Sequence, residues 1–85
     1  MSYRDEVAAA IKEIFTVNAN AETKEVEALQ EDMNWREAIP SMDSLDHVEV
    51  FMTIEDRYDI ELSDDECFKA VTFGDMLDLV CRKVC

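Results

Sequence analysis

Apolar residues recur at three- and four-residue spacing through much of the chain. Tyr3, Val7, Ile11, Ile14 and Phe15 form one such stripe, with Ala8 and Ala10 between them. That is the period of an amphipathic helix. Ser2 precedes the stripe and Asp5 follows three residues later, a capping box with Asp in place of Glu. Asn18 and Asn20 mark its stop. A second helix is predicted to start near Ser44, with Asp43 as N-cap and Asp46 three residues on. Leu45, Val48, Met52 and Tyr58 are expected to face inward, flanked by Phe51 and Ile54. Asp46, Glu49, Thr53 and Asp56 make the expected outward stripe. Tyr58-Asp59-Ile60-Glu61-Leu62 alternates, as an extended connection with one buried side does. Ser63-Asp64-Asp65-Glu66 is a full capping box and opens a short third helix, over by Val71. Thr72-Phe73-Gly74-Asp75 opens a fourth helix with its own acid three residues on. Its apolar stripe is Phe73, Met76, Leu77, Val80 and Val84. Arg82 and Lys83 sit in its last turn, where positive charge suits the dipole.

Residues 17–42 show no such sustained period, and a structureless loop of that length is uncommon in a small domain. Val26, Leu29 and Met33 predict a short helical turn near Lys24–Glu31. Trp35 and Ile39 are expected to plug the rest of the loop into the core, and Pro40 to hold Ile39 extended. The fold class that follows is all-α: a four-helix bundle with a long first loop and a short third helix.

Composition narrows the picture. Eighty-five residues suit a single domain over 1–85. One Gly and one Pro leave little for β-turns. Apolar residues are 48%, too many for a disordered acidic tail. Lys and Arg total 8 against 21 Asp and Glu, a net charge of −13. A nucleic-acid binder working through a basic surface is excluded, because phosphate contacts need Lys and Arg. Docking on anionic membranes is disfavoured for the same reason. No apolar run approaches the length of a membrane span. The residues after Met1 carry acid early and do not resemble a secretory signal, and three cysteines is an odd number. A cytoplasmic location and a monomer are the expectations.

The charge is concentrated. Residues 43–66 hold ten acids and one base, Arg57, a net −9, while the other 61 residues carry −4. A solvated helix face is one reading. A landing strip for basic partners is the other, since complementary charge raises encounter rates and selects partners.

Ser44 stands at the first position of this acidic helix, where backbone N–H groups are unpaired and the dipole end is positive. A phosphate attached there is stabilised by those donors and opposed somewhat by Asp43 and Asp46. Asp43-Ser44-Leu45-Asp46, then Val48-Glu49, Met52, Ile54-Glu55 and Tyr58-Asp59-Ile60-Glu61-Leu62, resembles the acyl carrier protein family. The likeness is good over 43–80; over 1–42 it is mainly length and helix placement. The resemblance implies a carrier, not an enzyme, with 4′-phosphopantetheine on Ser44. A phosphopantetheinyl transferase would supply the arm from coenzyme A. The arm would hold acyl intermediates as thioesters for enzymes of fatty-acid, polyketide or related lipid synthesis. By the same resemblance Asp43, Asp46, Glu49, Glu55 and Asp56 meet basic patches on those enzymes. Val48, Met52, Ile60, Leu62, Ala70 and Leu77 are implied to line an acyl-chain pocket. The family usually has Leu-Gly-x before the motif, whereas this chain has Pro40-Ser41-Met42, with Ile39 as the replacement plug.

Other readings compete. An unmodified acidic adaptor or assembly subunit could share the bundle. Pairing Ser44 with His47 for catalysis lacks an orienting group and an oxyanion site, and His47 is expected on a helix surface. Cys67, Cys81 and Cys85 with His47 lack zinc-ligand spacing, so no metal is expected. The acidic stretches lack the EF-hand loop order. Oxidative dimerisation through Cys85 is expected in vitro.

Overall fold

A computed structural model describes residues 2–84. Six helices follow in order: α1 (Tyr3–Val17), α2 (Thr23–Glu27), α3 (Trp35–Ala38), α4 (Ser44–Tyr58), α5 (Asp64–Lys69) and α6 (Phe73–Val84). Helices α1, α4, α5 and α6 are the expected bundle with its short third member. Helices α2 and α3 are one-turn pieces inside the long first loop. Among the described residues the only β pairing is an isolated bridge between Asn34 and Thr72.

The helix starts follow from local side-chain chemistry. Reciprocal capping boxes join Ser2 with Asp5, Asp43 with Asp46 and Ser63 with Glu66. Thr72 and Asp75 exchange the same pair of bonds at the start of α6. Each such cap contributes about 1 kcal/mol. Helix α4 ends at Asp59, which takes the left-handed conformation that Asp tolerates better than most residues. Ile60 is then half-buried and Leu62 buried, the alternation the sequence shows.

The long loop is stitched down at its middle. Phe73 N–H donates to the Met33 carbonyl at 2.9 Å, and Gly74 N–H to the Glu31 carbonyl at 2.8 Å. Loop carbonyls thus pair two N–H groups that a helix start leaves open. Arg4 of α1 binds the Glu31 and Asp78 carboxylates and the Gly74 carbonyl, tying α1, the loop and α6 together. Val26 and Leu29 are buried, while Met33 is not.

Trp35 is the hub of the core. It is fully buried, stacked on Phe15 of α1 at 5.9 Å and edge-on to Phe51 of α4 at 5.6 Å. Its Nε1 donates to the Ala70 carbonyl at 2.7 Å, so one loop residue fastens the end of α5 as well. Ile39 and Met42 are buried beside it. Ile39 is non-helical at φ −122° and ψ 71°, which ends α3 before Pro40. Ser41 needs no glycine, because positive φ among the described residues occurs only at Asn20 and Asp59. Its hydroxyl donates to Glu25 and accepts from the Glu22 N–H, tying this loop to α2.

One expectation is overturned. Helix α4 does not turn Leu45, Val48 and Met52 inward; they are 78%, 56% and 55% exposed. The buried face is Val50, Phe51 and Ile54, with His47 and Tyr58 half-buried. At 3.6 residues per turn the two apolar faces lie about 140° apart around the axis. Packing against Phe15 and Trp35 selects the second. No described helix is long and apolar enough to cross a membrane.

Candidate functional site

The first turn of α4 presents an exposed serine. Ser44 follows the N-cap Asp43 directly. Asp43 accepts from the Asp46 N–H at 2.9 Å, and Asp46 accepts from the Asp43 N–H at 3.1 Å. The box uses the acids on either side of Ser44 and the N–H at position 46. The N–H groups of positions 44 and 45, by helix geometry, have no intrahelical acceptor. The hydroxyl can therefore carry a phosphate ester beside open donors and the positive dipole end. Ser44 is exposed and thus fits a phosphate-linked arm.

Beside it, α4 and α5 enclose a groove of about 290 Å³. Val48, Phe51 and Met52 form the α4 wall; Leu62, Cys67 and Phe68 face them. Phe68 is 80% exposed and forms the lip. Of the six implied pocket residues, Val48, Met52 and Leu62 meet in this groove. Ile60 packs half-buried against the core, and Leu77 lies inside the core of the bundle. Ala70 lines a separate depression between α5 and α6, and its carbonyl binds Trp35 and Arg36.

Arg36, His47, Glu55 and Asp64 are the charged or polar side chains that border the groove. Arg36 lies over the Trp35 ring at 4.3 Å and donates through Nη1 and Nη2 to the Ala70 and Cys67 carbonyls. Glu55 accepts the Leu62 N–H at 3.0 Å. His47 packs edge-on to Trp35 at 5.1 Å, and its Nε2 is closed to water with no hydrogen-bond partner among the described residues. An unpaired buried polar atom costs about 1–3 kcal/mol. Burial, with Arg36 nearby, holds the His47 pKa below its ordinary value, against the pull of Asp43 and Asp46. Burial and the acids Glu55, Asp64 and Glu66 push the Cys67 thiol up to about 11, so it stays protonated at neutral pH.

The five acids separate by task. Asp43 and Asp46 cap α4, and Glu55 holds the turn at Leu62. Glu49 and Asp56 are exposed on one side of α4, next to the exposed Leu45, Val48 and Met52. Arg36, Cys67 and Phe68 were not foreseen as groove residues, and His47, expected on the helix surface, is instead half-buried against Trp35 because the α4 face that carries it turns to the core. The one available signal was that α4 carries two apolar stripes, so one of them had to remain outside. Among the described residues no group of three His, Cys, Asp or Glu could hold a metal ion. Cys85, expected to form dimers, lies outside the described residues.

No protein-family model matches the chain. It is 34% identical over 80 residues to the acyl carrier protein of Chlamydia felis, covering 94% of this chain and 92% of that one. It is 34% identical over 77 residues to that of Wolinella succinogenes, covering 91% of each. The crystal structure of an acyl carrier protein from Thermotoga maritima matches with a TM-score of 0.80 at 25% identity. That match covers 95% of this chain and 89% of the other.

Proposed function

This chain belongs to the acyl carrier protein family, whose members carry rather than catalyse, and from that premise we propose that Ser44 bears a 4′-phosphopantetheine arm. The arm supplies a thiol that holds acyl groups as thioesters. Ser44 provides the ester oxygen, and the open N–H groups of the first turn of α4 steady the phosphate. The groove between α4 and α5 shelters the acyl group from water. The pathway proposed is fatty-acid synthesis or a related lipid or polyketide route. A phosphopantetheinyl transferase, with coenzyme A as donor, is the first partner. Acyl-transfer and chain-elongation enzymes with basic docking patches are the later ones. Glu49 and Asp56 supply free charge for those patches, and Leu45, Val48 and Met52 supply apolar contact. Asp43, Asp46 and Glu55 add to the same negative field while holding the helix ends.

The observation that carries this reading is the exposed Ser44 at the mouth of α4, with an apolar groove one turn away. Incubation with coenzyme A and a broad-specificity transferase should add one phosphopantetheine by intact mass, and Ser44→Ala should abolish the addition. An unchanged wild-type mass with several transferases would favour an unmodified acidic adaptor instead.

A further inference from the structure

The phenylalanines of the chain have different surroundings. Phe15, Phe51 and Phe73 are buried and pack with Trp35 or with one another. Phe68 stands exposed on α5, a helix none of whose residues is buried. Helix α5 is held without that ring. Ser63 and Glu66 cap its start, and Lys83 pairs with Glu66 at 2.9 Å. Arg36 and Trp35 bind the Cys67 and Ala70 carbonyls at its end. Phe68 faces Val48 and Met52 across the mouth of the groove, and Leu45 continues their exposed stripe one turn earlier. Acids surround this apolar area. Glu49 and Asp56 are exposed on α4, Glu55 and Asp64 border the groove, and Asp64 and Asp65 lie one turn before Phe68 on its own helix. Of the bases nearby, Lys69 pairs with Asp65 at 3.1 Å, and Arg36 directs both terminal nitrogens to backbone carbonyls.

From these features, and resting on the carrier reading above, we infer that Phe68 is an aromatic anchor, which inserts into an apolar pocket rimmed by Lys and Arg on a chain-elongation enzyme. Charge selects this occupant. A second copy of the chain would bring two segments of net −9 together, and an anionic lipid surface meets the same repulsion. A basic rim around an apolar pocket complements both the acids and the ring. Exposed aromatic residues set in an apolar patch with a polar border are the mark of such interfaces. The anchor extends the docking face from α4 onto α5 and makes Phe68 a specificity-determining residue for the partner. The acids and the ring have separable tasks. The acids raise the encounter rate and are screened by salt. The ring brings roughly 150–250 Å² of surface to the contact, which salt does not screen, and so sets how long the complex lasts.

The test uses the full-length chain, loaded with an acyl arm by a broad-specificity transferase, and the chain-elongation enzyme of the same cell. Intact mass verifies each loading. Phe68→Ala should raise KM for the loaded carrier about tenfold or more, with kcat within about twofold. Phe68→Leu, apolar and of similar size, should stay within about threefold of wild type in KM. The Phe68→Ala loss should persist at about 0.5 M NaCl, where exposed charges are screened. Its melting temperature should match wild type, because the ring is outside the core. An unchanged KM overturns the inference, as does a loss that vanishes in high salt. A lower melting temperature, or faster hydroxylamine cleavage of the thioester, would assign the ring to covering its own groove and overturns it too. So would wild-type dimers in sedimentation equilibrium that Phe68→Ala dissociates, which would make a second copy the occupant. Failure of loading is visible at the mass step and overturns the carrier reading along with the inference.

Discussion

His47 and Glu66 give the fold a pH dependence whose sign follows from their surroundings. Burial and Arg36 hold His47 below its ordinary 6.5 in the folded chain. In the unfolded chain it takes up a proton near 6.5, so the unfolded state binds more protons as pH falls below that point. The stabilising contribution of the neutral ring is complete above 6.5 and declines as pH falls toward the folded value. Glu66 acts in the same direction lower down. Its bond from Ser63 N–H and its pairing with Lys83 hold it down to about 2, against an ordinary 4.5. Its contribution is complete above 4.5 and is lost as pH falls toward 2. His47→Phe should therefore flatten the loss of stability between pH 7 and 5.5, read as the urea midpoint at each pH. An equal loss in wild type and variant would show that the ring does not titrate differently on folding.

Helix α6 begins where the long loop crosses it, and Gly74 is the point of contact. A Cβ at Gly74 would lie 2.9 Å from the Glu31 carbonyl oxygen, which is backbone and already accepts the Gly74 N–H. Within a helix, Gly→Ala ordinarily gains up to about 1 kcal/mol. Here forced separation of the loop from α6 costs about 1–3 kcal/mol and also loosens the Arg4 cluster. The net expectation for Gly74→Ala is a loss of about 1–2 kcal/mol. That corresponds to a melting temperature lower by roughly 4–16 °C, at ~4–8 °C per kcal/mol for a domain of this size. A variant melting at or above the wild-type temperature would mean that the loop yields freely. The four helix starts were legible in the sequence, since Ser2, Asp43, Ser63 and Thr72 each meet a partner three residues away. The crossing at Gly74 was not, because Glu31 is 43 residues distant and nothing local encodes that approach.

Over the whole molecule the charge of −13 acts on a stability of about 4–13 kcal/mol, at ~0.05–0.15 kcal/mol per residue. Residues 43–66, with a net −9, run along α4 and into α5 and repel one another across its surface. Salt at 0.1 M shortens the reach of such repulsion to about 10 Å. The melting temperature should rise between 10 and 150 mM NaCl, by calorimetry; a flat or falling response would assign the repulsion no weight. The same field serves recognition. Glu49 is exposed and outside the capping boxes, so Glu49→Lys should leave the fold intact by circular dichroism. It should slow acyl transfer to a basic partner enzyme, most of all at low salt. Equal rates at low salt would remove Glu49 from the docking face.

Sequence order alone determined the starts of α1, α4, α5 and α6, the serine at the first position of α4 and the acidic stretch around it. Each depends on groups within four residues of one another or on simple counts of charge. It also marked Trp35 and Ile39 as residues with no other place to go. Tertiary structure alone decided which apolar stripe of α4 is buried. Leu45, Val48 and Met52 have the same helical spacing as a core stripe, and periodicity does not say what lies opposite. Trp35, set between Phe15 and Phe51, draws the other face inward. Burying that face leaves Leu45, Val48 and Met52 outside and puts Val48 and Met52 in the groove wall, with His47 Nε2 shut off from water and without a partner among the described residues.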